Sequence, residues 1–134
     1  MKKSKSQNAV QTEPTKSELE ILQVLWEFGP STARFINDHL NKEKRSVIYM
    51  STLKLMQIMV EKGLLEKDAS QMTHIYKAAV EEGKTKSFLL DKVVDNLFNG
   101  SAGSLMMQLL GNKKISPEEM EEFKELIKKI DQKD

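Results

Sequence analysis

Apolar residues at helical spacing divide the first half of the chain into three predicted helices. The first helix carries its apolar face on Leu19, Leu22, Leu25 and Trp26. Thr15 and Glu18 are spaced as a capping box at its start, and Gly29-Pro30 ends it. The second helix is short, with Ser31 as its predicted N-cap, and it runs to Leu40.

The third predicted helix has two faces of different character. Ser46 is its predicted N-cap, and Gly63 supplies the left-handed residue that ends it after Lys62. The face predicted to be core consists of Tyr49, Thr52, Leu53, Met56, Met59 and Val60. The outer face consists of Val47, Met50, Ser51, Lys54 and Ile58. This mixture of polar, cationic and apolar side chains suits the major groove of DNA or a partner protein, and the helix alone favours neither.

A nearly alternating pattern follows Gly63 and predicts a β-hairpin. Its strands contain Leu65 and Lys67 on one side and residues 73–77 on the other, with a polar turn at residues 68–71. An isolated hairpin is marginally stable in water, so this one must pack against the preceding helices. Three helices and a hairpin give the order of a winged helix-turn-helix. The predicted fold class is therefore mainly α with a small β-hairpin wing, an α+β arrangement.

Three more helices are predicted in the rear of the chain. They cover Phe88–Phe98, Ser104–Leu110 and a segment that starts at Ser116-Pro117. In the last helix the apolar residues repeat with coiled-coil spacing. Such short helices cannot bury their apolar faces against a head that has its own core, so we expect a homodimer. The predicted interface consists of Leu90, Val93, Val94, Leu97, Phe98, Leu105, Leu109, Met120, Phe123, Ile127 and Ile130.

The patterns predict a disordered arm at 1–13, a winged-helix head at 14–80 and a helical dimerisation region at 81–134. Residues 1–80 carry 12 Lys/Arg against 9 Asp/Glu, and residues 81–134 carry 9 against 11. A slightly basic head joined to a slightly acidic rear suits a nucleic-acid reader with an assembly segment. No apolar run reaches the roughly 18 residues of a membrane span, and no signal peptide is apparent. We expect a cytoplasmic protein without membrane insertion.

The sequence contains no motif that indicates an enzyme. The chain has no Gly-rich phosphate loop, no zinc-protease motif and no signature of an activated nucleophile. It has no cysteine, which excludes thiol catalysis and thiolate metal sites. We interpret His39 and His74 as structural or surface residues rather than metal ligands. We therefore expect no catalytic residues, metal or cofactor.

Candidate DNA contacts follow from the predicted helix-turn-helix. Base contacts are expected from Val47, Met50, Ser51 and Lys54 on the third helix. Backbone amides at a helix start bind anions, so phosphate contacts are expected near the start of the second helix. Together with nearby cations and wing residues, the predicted backbone contacts are Ser31, Thr32, Lys44, Arg45, Lys67, Gln71, Thr73 and Lys77.

From Pro14 to Lys129 the chain resembles the BlaI/MecI/CopY family of penicillinase-type repressors. The similar segments are Leu19 to Trp26, Tyr49 to Leu53, Gln57, Glu61 to Leu65, Leu97 to Leu105 and Ile115 to Glu119. The resemblance implies a transcriptional repressor whose homodimer binds an inverted-repeat operator in double-stranded DNA and is released by an inducing signal. In the antibiotic-responsive branch, a membrane-bound sensor protease triggers cleavage within the dimerisation region.

The chain departs from that family's pattern at several positions. The bond cleaved in the antibiotic-responsive branch joins Asn to Phe, and the equivalent pair here is Gln108-Leu109. The resemblance thus suggests a regulatory protease as a partner, but the Gln108-Leu109 pair differs from the Asn-Phe pair that is cleaved in that branch. Met50-Ser51 replaces a frequent pair of threonines, and Ile58 replaces an arginine. The cysteine cluster of the copper-responsive branch is absent, which excludes that sensing mechanism.

Two other functions stay open from the sequence. The outer face of the third helix could dock on a partner protein through Val47, Met50 and Ile58. The same helices and wing also occur in ligand-sensing regulators of the MarR or PadR kind, which would carry a pocket between head and dimer helices. Salt dependence of DNA binding separates the first alternative from a repressor, because only the DNA complex weakens steeply with salt.

Overall fold

The structure is a computed structural model that describes residues 13–133, with side chains described as far as residue 130. Within that range the elements are α1 (Lys16–Phe28), α2 (Ala33–Glu43), α3 (Tyr49–Glu61), β1 (Leu65–Asp68), β2 (Ile75–Ala78), α4 (Glu82–Leu97), α5 (Ala102–Gly111) and α6 (Pro117–Lys133). The mainly α fold with a two-stranded wing is therefore confirmed. The predicted disordered arm lies outside the described residues except for Glu13.

The chain forms two compact units that divide between Leu89 and Leu90, inside α4. In the first unit, α3 packs against α1, α2 and β1, and the two strands pair with each other. Its core consists of Ile21, Leu22, Val24, Leu25, Ala33, Ile36, Leu40, Met56, Met59, Leu64, Leu65 and Tyr76. The inner face predicted for α3 is confirmed, because Thr52 is also buried and Tyr49, Leu53 and Val60 are half-buried at the edge of this core.

The start of α1 is the predicted capping box. The amide of Glu18 donates to Oγ1 of Thr15 over 3.2 Å, and the amide of Thr15 donates to Oε1 of Glu18 over 2.9 Å. Glu18 is also buried, and both of its carboxylate oxygens accept from Nζ of Lys62 at 2.9 Å. The capping residue thus joins the start of α1 to the end of α3.

The N-cap of α2 is Thr32, so the prediction of Ser31 is wrong. Oγ1 of Thr32 accepts from the amide of Phe35 at 3.0 Å. The backbone of Ser31 instead pairs with Tyr76, with N to O distances of 2.9 and 2.8 Å, and its hydroxyl donates to the carbonyl of Gly29. Ser31 therefore extends the hairpin by a single bridge, a long-range pairing that local helix signals do not reveal. The helix continues to Glu43, beyond the predicted end.

The start of α3 also differs from the prediction. Its N-cap is Ile48, which provides no side-chain cap, and Ser46 lies in the preceding loop. The side-chain amide of Asn41 bonds to both backbone polar groups of Val47, at 2.8 and 3.1 Å. These bonds hold Val47 outside the helix, which explains why the prediction of Ser46 as the cap is wrong. The helix ends as predicted, with Gly63 at φ 84°.

The wing is an antiparallel hairpin in which Leu65 faces Ala78 and Lys67 faces Tyr76. Its second strand begins at Ile75, so the prediction that Thr73 and His74 belong to the strand is wrong. The prediction that Asp68 belongs to the turn is also wrong, because Asp68 pairs with Ile75 as the last residue of β1, and the turn covers 69–74. The carboxylate of Asp68 accepts from the amide of Ser70 at 2.9 Å at the start of this turn. This hydrogen bond lowers the pKa of Asp68.

The second unit contains the remainder of α4 with α5 and α6. Ser101 caps α5 by accepting from the amide of Ser104 at 3.0 Å. Ser116 caps α6 as predicted, and Oε1 of Glu119 accepts in return from the amide of Ser116. The helices α4 and α5 begin earlier than the predicted Phe88 and Ser104. None of the described helices is long and apolar enough to cross a bilayer.

Candidate nucleic-acid interface

The outer face of α3 is open. Met50 is 64% exposed, Ser51 and Lys54 are exposed, and Ile58 is 39% exposed. Three of the four predicted base contacts thus lie on one accessible helix face. Val47 does not join them, because it precedes the helix, is half-buried and has its carbonyl engaged by Asn37 and Asn41.

Two buried polar linkages fix the position of α3 in the head. Nδ2 of Asn37, on α2, donates to Oγ1 of Thr52 over 2.8 Å. At the other end of the helix, the pair between Lys62 and Glu18 joins α3 to α1. Because a buried polar group without its partner costs free energy, these linkages resist rotation and sliding of α3. The outer face is therefore presented at a defined angle.

A cleft of about 330 Å³ lies between the start of α2, the side of α3 that carries Tyr49, Leu53 and Gln57, and the wing. It is lined by Thr32, Ala33, Arg34, Tyr49, Leu53, Gln57, Lys67, Met72, Thr73, His74 and Tyr76. The cleft brings together three predicted backbone contacts, namely Thr32, Lys67 and Thr73. At its floor, burial raises the pKa of the Tyr76 hydroxyl, and the neighbouring Tyr49 adds to the effect.

The cleft also contains polar residues that were not predicted as contacts. Arg34 is exposed, and its Cζ lies 4.0 Å from the centroid of the Tyr49 ring. Gln57 is exposed on α3, and the sequence distinguishes it only as one of the residues that resemble the repressor family. A cation directly after the anion-binding start of a helix could have singled out Arg34. The stack on Tyr49 joins residues of two helices and has no sequence signal.

The other predicted backbone contacts lie outside this cleft. Arg45 binds Glu20 on α1, with 2.8 Å between Nη2 and Oε1, so its charge is already balanced. Lys77 faces Glu66 across the hairpin at 3.5 Å. Ser31 is only 8% exposed. Lys44 and Gln71 are exposed, at the end of α2 and in the wing turn.

A comparison with known protein families matches residues 14–129 to the penicillinase repressor family. The chain belongs to that family. The resemblance noted from the sequence is thereby confirmed, and the protein is a DNA-binding repressor of transcription with a winged-helix head. A search of curated proteins finds no match to the chain.

The second unit of the chain leaves much of its apolar surface open. Of the predicted interface, the exposed residues are Leu90, Val93, Leu97, Ile127 and Ile130. The half-buried ones are Val94, Phe98, Leu105, Leu109, Met120 and Phe123. Met107, Leu110 and Leu126 are exposed as well, although the sequence pattern did not select them. Gln108 and Leu109, at the position of the family's cleaved pair, lie inside α5.

Proposed function

We propose that this repressor acts as a homodimer in which α3 of each head reads one half of an inverted-repeat operator. The observation that carries the proposal is the open outer face of α3, held by buried polar linkages to α1 and α2. We assign DNA binding to residues 14–80 and dimerisation to residues 81–134. We infer a cytoplasmic location from the proposed DNA target.

The side chains on α3 have complementary chemistry for base edges. The ammonium group of Lys54 donates to guanine O6 and N7, the commonest acceptors in the major groove. Ser51 donates or accepts according to the base, and Met50 contacts thymine methyl groups. This set contains one cation and one large apolar side chain, so we expect an operator that differs from those read by paired threonines.

Phosphate contacts in the proposed complex come from the cleft beside α3. Thr32, Lys67 and Thr73 line it, and exposed Lys44 and Gln71 extend the contact surface. Such contacts set the register of the protein on the duplex without selecting its sequence. We leave Val47, Ser31, Arg45 and Lys77 out of the contact set, because each is buried or already engaged within the head.

The open apolar residues of the second unit support dimerisation. A monomer would expose Leu90, Leu97, Ile127 and Ile130 to water, whereas a second copy would cover them. Twofold pairing also explains why the operator would be an inverted repeat. Relief of repression by a protease that cuts at or near Gln108-Leu109 would act by weakening this dimer.

The experiment that tests the proposal is operator binding by Lys54→Ala. An operator is first selected from a random duplex pool with the wild-type protein, and affinities are then measured on it and on single-base variants. We expect a loss of about 1–3 kcal/mol and relaxed specificity at one position in each half-site. Lys42→Ala is the control, because it removes an exposed cation that does not line the cleft. Unchanged affinity and specificity in Lys54→Ala would refute the role of Lys54.

A second candidate function rests on the exposed apolar residues of α3. Met50 and Ile58 would suit a protein partner better than a solvated surface. The two functions respond differently to salt, since phosphate contacts make DNA affinity fall by orders of magnitude between low and moderate salt. A complex through α3 that scarcely responds to salt would favour the protein partner.

A further inference from the structure

Arg34 is a cation on α2 that is not among the DNA contacts proposed above. It is exposed in the first turn of α2, and its guanidinium lies over the ring of Tyr49 at 4.0 Å. Among the described residues its guanidinium has no hydrogen-bond acceptor and no ion-pair partner. The contact with Tyr49 is thus what orders its side chain in the free protein.

Stacking on a ring leaves the binding capacity of arginine intact. The guanidinium is planar, and its five N–H donors point outward in that plane. The guanidinium carbon lies 4.0 Å from the centroid of the Tyr49 ring, and no described residue accepts from its N–H groups, so these donors are free for an oxyanion. Holding the long side chain in place also reduces the entropy lost when it binds. Tyr49 is suited to this task because it is half-buried as the first residue of α3.

The surroundings of Arg34 select an anion. Lys67 on β1 and Thr73 in the wing turn line the same cleft, and Thr32 caps α2 beside it. No aspartate or glutamate lies among the described residues that line the cleft. Two formal positive charges and several hydroxyl groups therefore face this space with no carboxylate to balance them. Phosphate oxygens are the groups that such a wall binds best.

We propose that Arg34, held flat against Tyr49, binds a backbone phosphate of the duplex, with Lys67 of the wing binding a phosphate across the cleft. This inference rests on the proposed function, because it takes α3 as the helix that enters the groove. Arg34 lies at the start of α2, where the first helix of a helix-turn-helix crosses the backbone, so it contacts phosphate rather than a base. Arg34 is accordingly a positioning contact that adds affinity without adding sequence preference.

The test is a salt titration of duplex binding with the full chain. The probes are a labelled duplex of mixed sequence and the selected operator, each titrated over a series of KCl concentrations. In the proposed dimer Arg34→Ala removes two phosphate contacts, one from each head, so the slope of log K against log [KCl] should fall by about 1.8, or about 0.9 for each contact. That change corresponds to a loss of about 60-fold at 0.1 M KCl relative to 1 M. The loss should be equal on both duplexes, whereas Lys54→Ala should affect the operator more.

Two further variants isolate the stack. Arg34→Lys keeps the charge without the planar fork, so it should recover the slope and only part of the affinity. Tyr49→Leu keeps an apolar side chain and removes the ring, and it should weaken binding less than Arg34→Ala. In the double variant Arg34→Ala/Tyr49→Leu the affinity should match that of Arg34→Ala, because the ring acts through the guanidinium. Circular dichroism checks that each variant is folded.

The outcomes separate this inference from the proposed function. Wild-type slope and affinity in Arg34→Ala, with Lys54→Ala impaired on the operator, would overturn the role of Arg34 alone. A lower slope in Arg34→Ala with an unimpaired Lys54→Ala would support the phosphate contact and overturn base reading by Lys54. Lys42 is an exposed cation on the same helix. If Lys42→Ala lost as much DNA affinity as Arg34→Ala, the effect would come from the net charge of the head, and the inference would be overturned.

Discussion

Asn37 donates a hydrogen bond from Nδ2 to Oγ1 of Thr52 over 2.8 Å, and both residues are buried. The same amide nitrogen lies 3.0 Å from the carbonyl oxygen of Val47, in the loop that leads into α3. One side chain of α2 therefore holds both the body of α3 and its approach. The amide therefore adds a polar link between the two helices of the helix-turn-helix, which also pack through the apolar core.

We expect Asn37→Ala to lower the free energy of unfolding by about 1–3 kcal/mol, because the buried hydroxyl of Thr52 loses its donor and the carbonyl of Val47 keeps only that of Asn41. Urea denaturation followed by circular dichroism measures the loss. Asp38→Ala is the matched control on the adjacent, exposed position. Thr52→Ser should retain more stability than Thr52→Val, since serine keeps the acceptor. Equal stability of Asn37→Ala and wild type would show that the amide has no structural role.

The buried carboxylate of Glu18 gives a second prediction. Lys62→Met leaves that carboxylate 2% exposed and without its cation. The lysine side chain is 31% exposed, so we expect a loss of about 2–3 kcal/mol, below the upper range for fully buried pairs. Glu18→Gln should cost less, because no unpaired charge is left in the interior.

The double variant Glu18→Gln/Lys62→Met distinguishes a true pair from two independent residues. Its loss should be smaller than the sum of the single losses, as measured by denaturant midpoints under the same conditions. Glu61→Gln, one residue away and exposed, is the control for removing a carboxylate from α3. Strict additivity would mean that Glu18 and Lys62 stabilise the head separately.

Dimerisation through α6 is tested by Ile127→Asp. Ile127 is 49% exposed and belongs to the predicted seam, so a charge there should be buried in the dimer and should yield monomers. Analytical ultracentrifugation measures the shift. Lys129→Asp places the same residue on the opposite side of α6 and should remain dimeric. An unaltered dimer in Ile127→Asp would move the interface to another face, such as one containing Leu126.

How far the sequence predicts the molecule depends on the range of the interactions involved. The capping box at Thr15, the end of α3 at Gly63 and the start of α6 at Ser116 follow from residues a few positions apart, and each is confirmed. The starts of α2 and α3 do not. Ser31 is drawn into a bridge with Tyr76, and Val47 is held by Asn41, so contacts beyond the local helix signal decide where each helix begins.

The candidate interface follows the same division. Periodicity alone separates the exposed Met50, Ser51 and Lys54 from the core of α3. The cleft residues Arg34 and Tyr49 are far apart in sequence, and only the packing of α2 on α3 makes them neighbours. Charge counting also gives no sign that Arg45 is paired with Glu20, because the two residues are far apart in sequence. A cation's availability is a property of the folded head, not of its composition.

The indole of Trp26 donates from Nε1 to the carbonyl oxygen of Val80 over 3.1 Å, and it is the one tryptophan of the sequence. Its fluorescence therefore originates wholly in the first unit, at the place where the wing leads into α4. Emission spectra can follow melting of the head in the intact chain without a signal from residues 90–134. Comparison with circular dichroism, which sees every helix, would then give separate midpoints for the two units without cutting the chain.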